Sequence, residues 1–264
     1  MRAISLGYHN ISGPEGCPQV RALPQASHYA VARRDFRAHL DAMDLNYALC
    51  ASLMESNAEW SDPVPLFITF DDGISGSYLH GAAELERVGW RGHFFITTDW
   101  LDRPGFMTKE QVRDLYARGH VIGSHTCSHP ERMSKLTRTE LIREWRDSCR
   151  KLSDVLGAQI ETASVANGYC SRAVVQAAAL GGIRALFTSE PVTRVKKADD
   201  CLVLGRYAVF HDSSAARVAG IAAGATLPRL QQVLAWRARA AAKSVLGSGY
   251  FYVRNWLLPG ETDR

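Results

Sequence analysis

No run of about 18 apolar residues occurs in this 264-residue sequence, so nothing in it reads as an ordinary membrane-spanning helix. Its first residues, MRAISLGYHNISGPEG, lack the roughly 7–15-residue apolar stretch of a secretory signal, and a cytoplasmic protein is the expectation. No CxxC pair joins the six cysteines (Cys17, Cys50, Cys127, Cys149, Cys170, Cys201), whose wide spacing suits free thiols in a reducing compartment. The net charge of +4 is too mild, and the basic residues too scattered before the last forty positions, to imply a nucleic-acid partner. No long Pro/Gly/Ser-rich linker, internal repeat or low-complexity tract divides the chain. One domain over residues 1–226, with a C-terminal extension over 227–264, is the expected organisation.

What is present is an alternation of short apolar runs with helical patterns. Strands are expected at Arg2 to Tyr8, Pro65 to Phe70, His93 to Thr97, His120 to Gly123, Ile160 to Ala166, Ile183 to Thr188 and Leu202 to Phe210. Between them lie helices around Phe36 and Leu40, at Ser77 to Val88, Lys109 to Arg118, from Thr137 toward Gly157, at Arg172 to Leu180 and at Ser213 to Ala223. Thr108 with Gln111, and Thr137 with Glu140, have the spacing of capping boxes, in which each end of the pair satisfies a backbone N–H of the helix's first turn. A repeating β/α order builds a parallel sheet with helices outside, either doubly wound or closed. Since no Gly-rich dinucleotide turn occurs, a (β/α) barrel of about seven parallel strands is favoured.

The chemistry collects at two strand ends. The run Leu66 to Phe70 leads directly into Asp71-Asp72-Gly73, which puts two carboxylates on the face where barrel enzymes keep their active sites. The strand ending at Gly123 leads into Ser124-His125-Thr126-Cys127-Ser128-His129. Two histidines four apart would share a face on a helical turn and could reach one metal ion. No Glu follows His125, so the HExxH arrangement of metalloproteases is absent. Asp with two His leaves coordination positions open for water and substrate, and zinc is the first choice, with Co²⁺, Ni²⁺ and Mn²⁺ as alternatives.

Thr69-Phe-Asp-Asp-Gly73, followed some fifty residues later by His125-Thr-Cys-Ser-His129, resembles the polysaccharide deacetylase family (carbohydrate esterase family 4, the NodB homology domain). The bridging text from Gly105 to His125 and the opening Leu6-Gly-Tyr-His9 are similar to that family as well. The resemblance covers residues 65–135 strongly, weakens toward 215, and is absent from the last forty positions. It implies a deformed, TIM-like (β/α) barrel in which Asp71 is the general base and Asp72, His125 and His129 hold a divalent metal. It also implies an N-acetylated saccharide as substrate.

Two motifs depart from that pattern. Where the family has Arg-x-Pro-Tyr-Gly, with the Arg turned toward the catalytic Asp, this sequence has Ser164-Val-Ala-Asn-Gly-Tyr169. Asn167, Gly168 and Tyr169 are assigned here to the substrate or oxyanion side of the site, with Asn167 and Gly168 offering backbone donors. The family's Leu-x-His, whose His protonates the leaving amine, is matched by Val209-Phe-His211, with Leu204-Gly-Arg206 competing for the alignment. His211 is assigned as the general acid, a task suited to a side chain that titrates near neutrality. His9 is read as supporting or structural, and Trp100 as a loop aromatic that could flank a sugar ring.

Leu227 to Leu246 is helical in pattern, with Leu230, Val233 and Leu234 near one side and Arg229, Arg237, Arg239 and Lys243 elsewhere. Such a helix either packs on the barrel or lies on an anionic membrane surface. In the second case a lipid-linked saccharide at the inner face of the membrane becomes the natural substrate. Three functions are consistent with these features: an N-deacetylase of an amino sugar; a deformylase or other non-peptide C–N hydrolase on a lipid-linked amino sugar; and a saccharide-binding barrel without catalysis.

Overall fold

The computed structural model describes residues 1–14, 26–43, 64–168 and 170–246. In chain order its elements are β1 (Ile4–Tyr8), β2 (Asn10–Ser12), β3 (Ala30–Ala32), α1 (Arg33–Asp41), β4 (Leu66–Phe70), α2 (Ala83–Arg87, preceded by a wide helical turn over Ser77–Ala82), β5 (His93–Ile96) and α3 (Lys109–Ala117). There follow β6 (Val121–Ser124), α4 (Arg138–Leu156), β7 (Thr162–Ser164), α5 (Arg172–Leu180), β8 (Ala185–Phe187), β9 (Lys196–Ala198), β10 (Cys201–Leu204), β11 (Tyr207–Ala208), α6 (Ala215–Ala222) and α7 (Thr226–Leu246). Both capping boxes form: Thr108 and Thr137 accept the backbone N–H of Gln111 and Glu140, whose side chains reach back.

The main sheet runs β11-β1-β4-β5-β6-β7-β8-β10-β9. Every neighbouring pair is parallel except the last, where β9 lies antiparallel on β10. A flat sheet would hold β11 and β10 about 34 Å apart at ~4.8 Å per strand. Yet only Gly205 and Arg206 separate them in sequence, a link of roughly 11 Å at 3.8 Å per Cα step. The sheet is therefore curled, bringing β10 round to β11. The barrel expectation holds, with two corrections. The parallel strands of this sheet number eight in the described residues, because the stretch from Leu202 to Phe210, read as one strand, breaks at Gly205–Arg206 into β10 and β11. The short antiparallel β9, Lys-Lys-Ala, has two adjacent lysines and little apolar content, so it left no strand signal in the sequence.

Alternation along the strands divides two cores. Ile4, Leu6 and Tyr8 on β1, Leu66, Ile68 and Phe70 on β4, and Phe94 and Ile96 on β5 pack outward with the helices. Ala3, Phe67, Phe95, Ala185, Phe187 and Leu204 fill the barrel interior. Thr69 and Asp71 share the parity of Phe67, and so the first carboxylate follows the interior row up to the mouth. At the junction of β10 and β11 a Cβ on Gly205 would lie against the carbonyls of Glu190 and Val192. Glycine there lets the chain cross the seam closely enough for the Arg206 N–H to bond Glu190 O at 2.9 Å.

Candidate metal centre and catalytic carboxylate

Asp71 and Asp72 leave β4 in different directions for a backbone reason. The Asp71 N–H donates to Tyr8 O at 3.0 Å, continuing the ladder with β1, whereas Asp72 has φ 72° and Gly73 φ 78°. The left-handed pair turns the chain sharply, which Asp tolerates better than most residues and Gly tolerates freely. Asp71 consequently stays over the barrel axis while Asp72 faces the end of β6. Both are 4% exposed.

At that end the His125 N–H donates to Ile96 O at 2.9 Å, and the chain then turns at Thr126 (φ 69°) and again at His129 (φ 57°). The two histidines thus do not stand on a helical turn, as their spacing suggested; a loop with two left-handed residues brings them together. Glu144 on α4 anchors that loop, accepting from the N–H groups of Cys127 (2.9 Å) and Ser128 (3.0 Å) and from the Ser128 hydroxyl (2.8 Å). The loop brings together the three residues expected as ligands. His125 Nε2 and His129 Nε2 lie 3.3 and 3.4 Å from Asp72 Oδ1, and one ligand atom from each of the three residues falls within 4.8 Å of the others.

The tautomer of His125 follows from its other nitrogen. Nδ1 contacts Ser164 O at 3.1 Å and Ser164 Oγ at 2.5 Å, while the Ser164 hydroxyl donates to Asp71 Oδ1 at 2.9 Å. Nδ1 is therefore the protonated nitrogen, and Nε2 turns its lone pair toward the Asp72 carboxylate. Lone pairs converging at such distances repel unless a cation or proton lies between them, which is the property of a metal seat. Burial alone would raise the Asp72 carboxyl; with protons on the facing imidazole nitrogens in place of a cation, hydrogen bonds from His125 and His129 hold it well below the ordinary range.

Asp71 is held by Arg206. The guanidinium donates in a two-pronged pair to Asp71 Oδ1 (2.6 Å) and Oδ2 (2.7 Å), and its remaining donors reach Thr69 Oγ1 (3.1 Å) and Thr188 O (3.2 Å). Burial would raise the Asp71 carboxyl; Arg206 and His125 outweigh it and pull it down to about 2. The carboxylate is thus ionised across the neutral range. Ser164 occupies the place where the third motif of the resembling family carries its Arg, and here that place needs only a hydroxyl. The cation enters from the opposite edge of the sheet, through the β10–β11 junction. Sequence reading missed Arg206 because one apolar run covered both strands; the sole signal was the interrupting Gly205-Arg206.

The other expected site residues are scattered. Trp100 packs its ring on His129 (centroids 4.8 Å apart) and on Phe106 (4.8 Å). The Asn167 amide donates to Pro130 O at 3.2 Å and sits 3.5 Å from His129 Nδ1, steadying the histidine loop. The Gly168 N–H turns to Val165 O at 3.4 Å. Of the two residues assigned as backbone donors to substrate, Gly168 thus turns its N–H to the protein and Asn167 is engaged through its side-chain amide. Tyr169 lies outside the described residues. His211 is exposed; its ring lies 5.4 Å from that of His28 and its N–H bonds His28 O at 3.2 Å. His9, like His125, feels the charges of Asp71, Asp72 and Arg206: burial lowers its pKa, Asp72 and Asp71 raise it, and Arg206 and His125 lower it further. Its ring stacks on Tyr29 at 4.3 Å, and its Nδ1 is buried with no hydrogen-bond partner.

The fold and the site together define a parallel α/β barrel whose mouth carries an Asp/His/His cation seat beside an Arg-paired carboxylate. Residues 61–186, just under half of the chain, match the family model described as polysaccharide deacetylase. YxkH of Bacillus subtilis strain 168, itself named for this family, is 26% identical over 166 residues, which is 61% of this chain and 59% of YxkH. The chain thus spans less than two thirds of that relative. Among solved structures, a polysaccharide deacetylase from Bacillus cereus superposes with a TM-score of 0.70 at 19% identity, covering 84% of this chain and 69% of that one. The Streptococcus pyogenes deacetylase PplD, solved in complex with acetate, gives 0.69 at 20% identity over 82% of this chain and 96% of PplD. At these identities the superpositions establish a shared fold.

Proposed function

We propose that the protein is a metal-dependent amide hydrolase that removes the N-acetyl group of an amino sugar in a polysaccharide or a lipid-linked saccharide. The observation that carries this reading is the separation of roles at Asp71-Asp72: one carboxylate faces two imidazoles and the other an arginine. A divalent cation held by Asp72, His125 and His129 would supply the positive charge that polarises the amide carbonyl and acidifies water. Ligand atoms about 2.0–2.1 Å from a tetrahedral zinc stand roughly 3.3–3.4 Å apart, which the two His–Asp separations match, and zinc is our choice of metal.

The chain's own residues do the proton work. Asp71, ionised and fixed by Arg206 and Ser164, takes the proton of the attacking water. Ser164 couples the base to His125 and keeps both in register. His9 is our choice of donor to the leaving amine, supported by its electrostatic coupling to both carboxylates; His211 is the alternative. A saccharide suits the mouth because half-buried rings, His9, Tyr29, His28 and Phe210, contact one another near His9, while buried Trp100 packs on His129. Lipid-linked saccharides at the inner face of the membrane belong to the proposal on the strength of the cationic helix α7.

The test is to incubate the purified protein with Zn²⁺ and a panel of N-acetylated glycans and lipid-linked N-acyl sugars, and to assay the free acid. Acetate released in a chelator-sensitive way is the expected result. Formate released instead would favour the deformylase, and no turnover of any substrate would leave the saccharide-binding barrel.

A further inference from the structure

Helix α7 has two apolar sides, and only one of them is used. Toward the barrel it turns Gln232, whose Nε2 donates to Ala208 O at 2.8 Å, with half-buried Val233 and Trp236 beside it. At 100° per residue, Leu227, Leu230 and Leu234 fall within about 60° of one another on the opposite side. These three are 66%, 48% and 58% exposed and account for three of the seven exposed large hydrophobic residues among those described. The sequence continues the same stripe to Ala238. A solvent-facing side of a packed helix is ordinarily polar, so an outward leucine stripe calls for an occupant.

Charge selects that occupant. Between Thr226 and Leu246 the sequence holds four basic residues (Arg229, Arg237, Arg239, Lys243) and no acidic one, a local charge equal to the whole chain's net +4. Pairing this helix with its copy in a dimer would bring like charges together. Of these cations Arg237 lies beside the stripe, about 20° from Leu230, and a leucine face on a basic helix with no acidic residue matches the acyl boundary and headgroups of an anionic bilayer, which attracts basic segments and takes up apolar side chains. No described helix is long and apolar enough to cross a membrane, so contact through α7 would be peripheral.

We propose that the outward face of α7 docks the protein on an anionic lipid surface, with Leu227, Leu230 and Leu234 entering the headgroup boundary. This surface is separate from the barrel mouth and does not depend on the reaction proposed there. The test is co-sedimentation of the full chain with vesicles of phosphatidylcholine alone and with phosphatidylglycerol added, at low and high salt. Binding only to the anionic vesicles, weakened by salt, is expected. The double variant Leu230→Ser/Leu234→Ser should lose about tenfold or more in vesicle affinity while its circular dichroism and its turnover of a soluble substrate stay as in the parent. Retained activity in that variant separates loss of docking from failure of the catalytic reading. Failure to sediment with anionic vesicles at low salt would overturn the proposal. So would equal binding to uncharged vesicles, or full binding by the double variant. A dimer in size-exclusion chromatography that the double variant dissolves would assign the face to a second copy and would also overturn it.

Discussion

Asp71 and Asp72 are chemically identical, and their neighbours alone distinguish them. Arg206 makes a bidentate, fully buried pair with Asp71, its side chain 5% exposed against 6% for the carboxylate. Removing one partner of such a pair strands the other charge, so Arg206→Ala should destabilise the fold by about 3–5 kcal/mol. Arg206→Lys, which keeps the charge but not the planar fork, should lose less stability while still lowering turnover. Urea unfolding of both variants checks this, and an unchanged midpoint for Arg206→Ala would mean the pair does not hold the site. His9→Ala should cut turnover by roughly 10²–10⁴ at unchanged metal content, whereas His211→Ala should cost less than about threefold. The reverse pattern would return the acid role to His211. The ligand residues were legible because their chemistry lies in adjacent letters at strand ends. Arg206 and Ser164 were not, since their roles arise only when strands distant in sequence meet at the barrel mouth.

Among the elements, the caps were the most readable: Thr108 with Gln111 and Thr137 with Glu140 form because the hydrogen bonds lie within one helical turn. The histidine loop was misread as a helical turn because four-residue spacing is ambiguous. Its shape depends on left-handed Thr126 and His129 and on Glu144, which is contributed by a different element. Helices α1 and α2 show a tie of the same kind. Glu84, buried on α2, accepts from Arg33 (2.8 Å), from Arg37 (2.7 and 2.9 Å) and from Arg87 (3.0 Å). The hydrogen bonds from Arg37 first, then those from Arg33 and Arg87, outweigh burial and lower the Glu84 pKa to about 2. A carboxyl depressed in the folded state stabilises fully above its unfolded pKa of about 4.3 and loses that contribution as the pH falls through the folded value. Stability should therefore decline from about pH 4.3 toward pH 2, and Glu84→Gln should flatten this segment of the curve. Denaturant midpoints of parent and variant across that range check it; parallel curves would contradict the assignment.

At the scale of the whole molecule, the barrel was readable from its β/α order, but its closure was not. Closure follows from the two-residue link between β10 and β11, and the same link delivers Arg206 to Asp71. One junction thus closes the fold and completes the site. The division of labour between the two carboxylates is the central claim, and a zinc titration of activity in two variants measures it most directly. Asp72→Asn should bind metal weakly and recover part of its activity as zinc is raised. Asp71→Asn should keep its metal, lose turnover by about 10²–10⁴, and gain nothing from added zinc. If Asp71→Asn is instead the variant that zinc rescues, the two roles are reversed and the account is wrong.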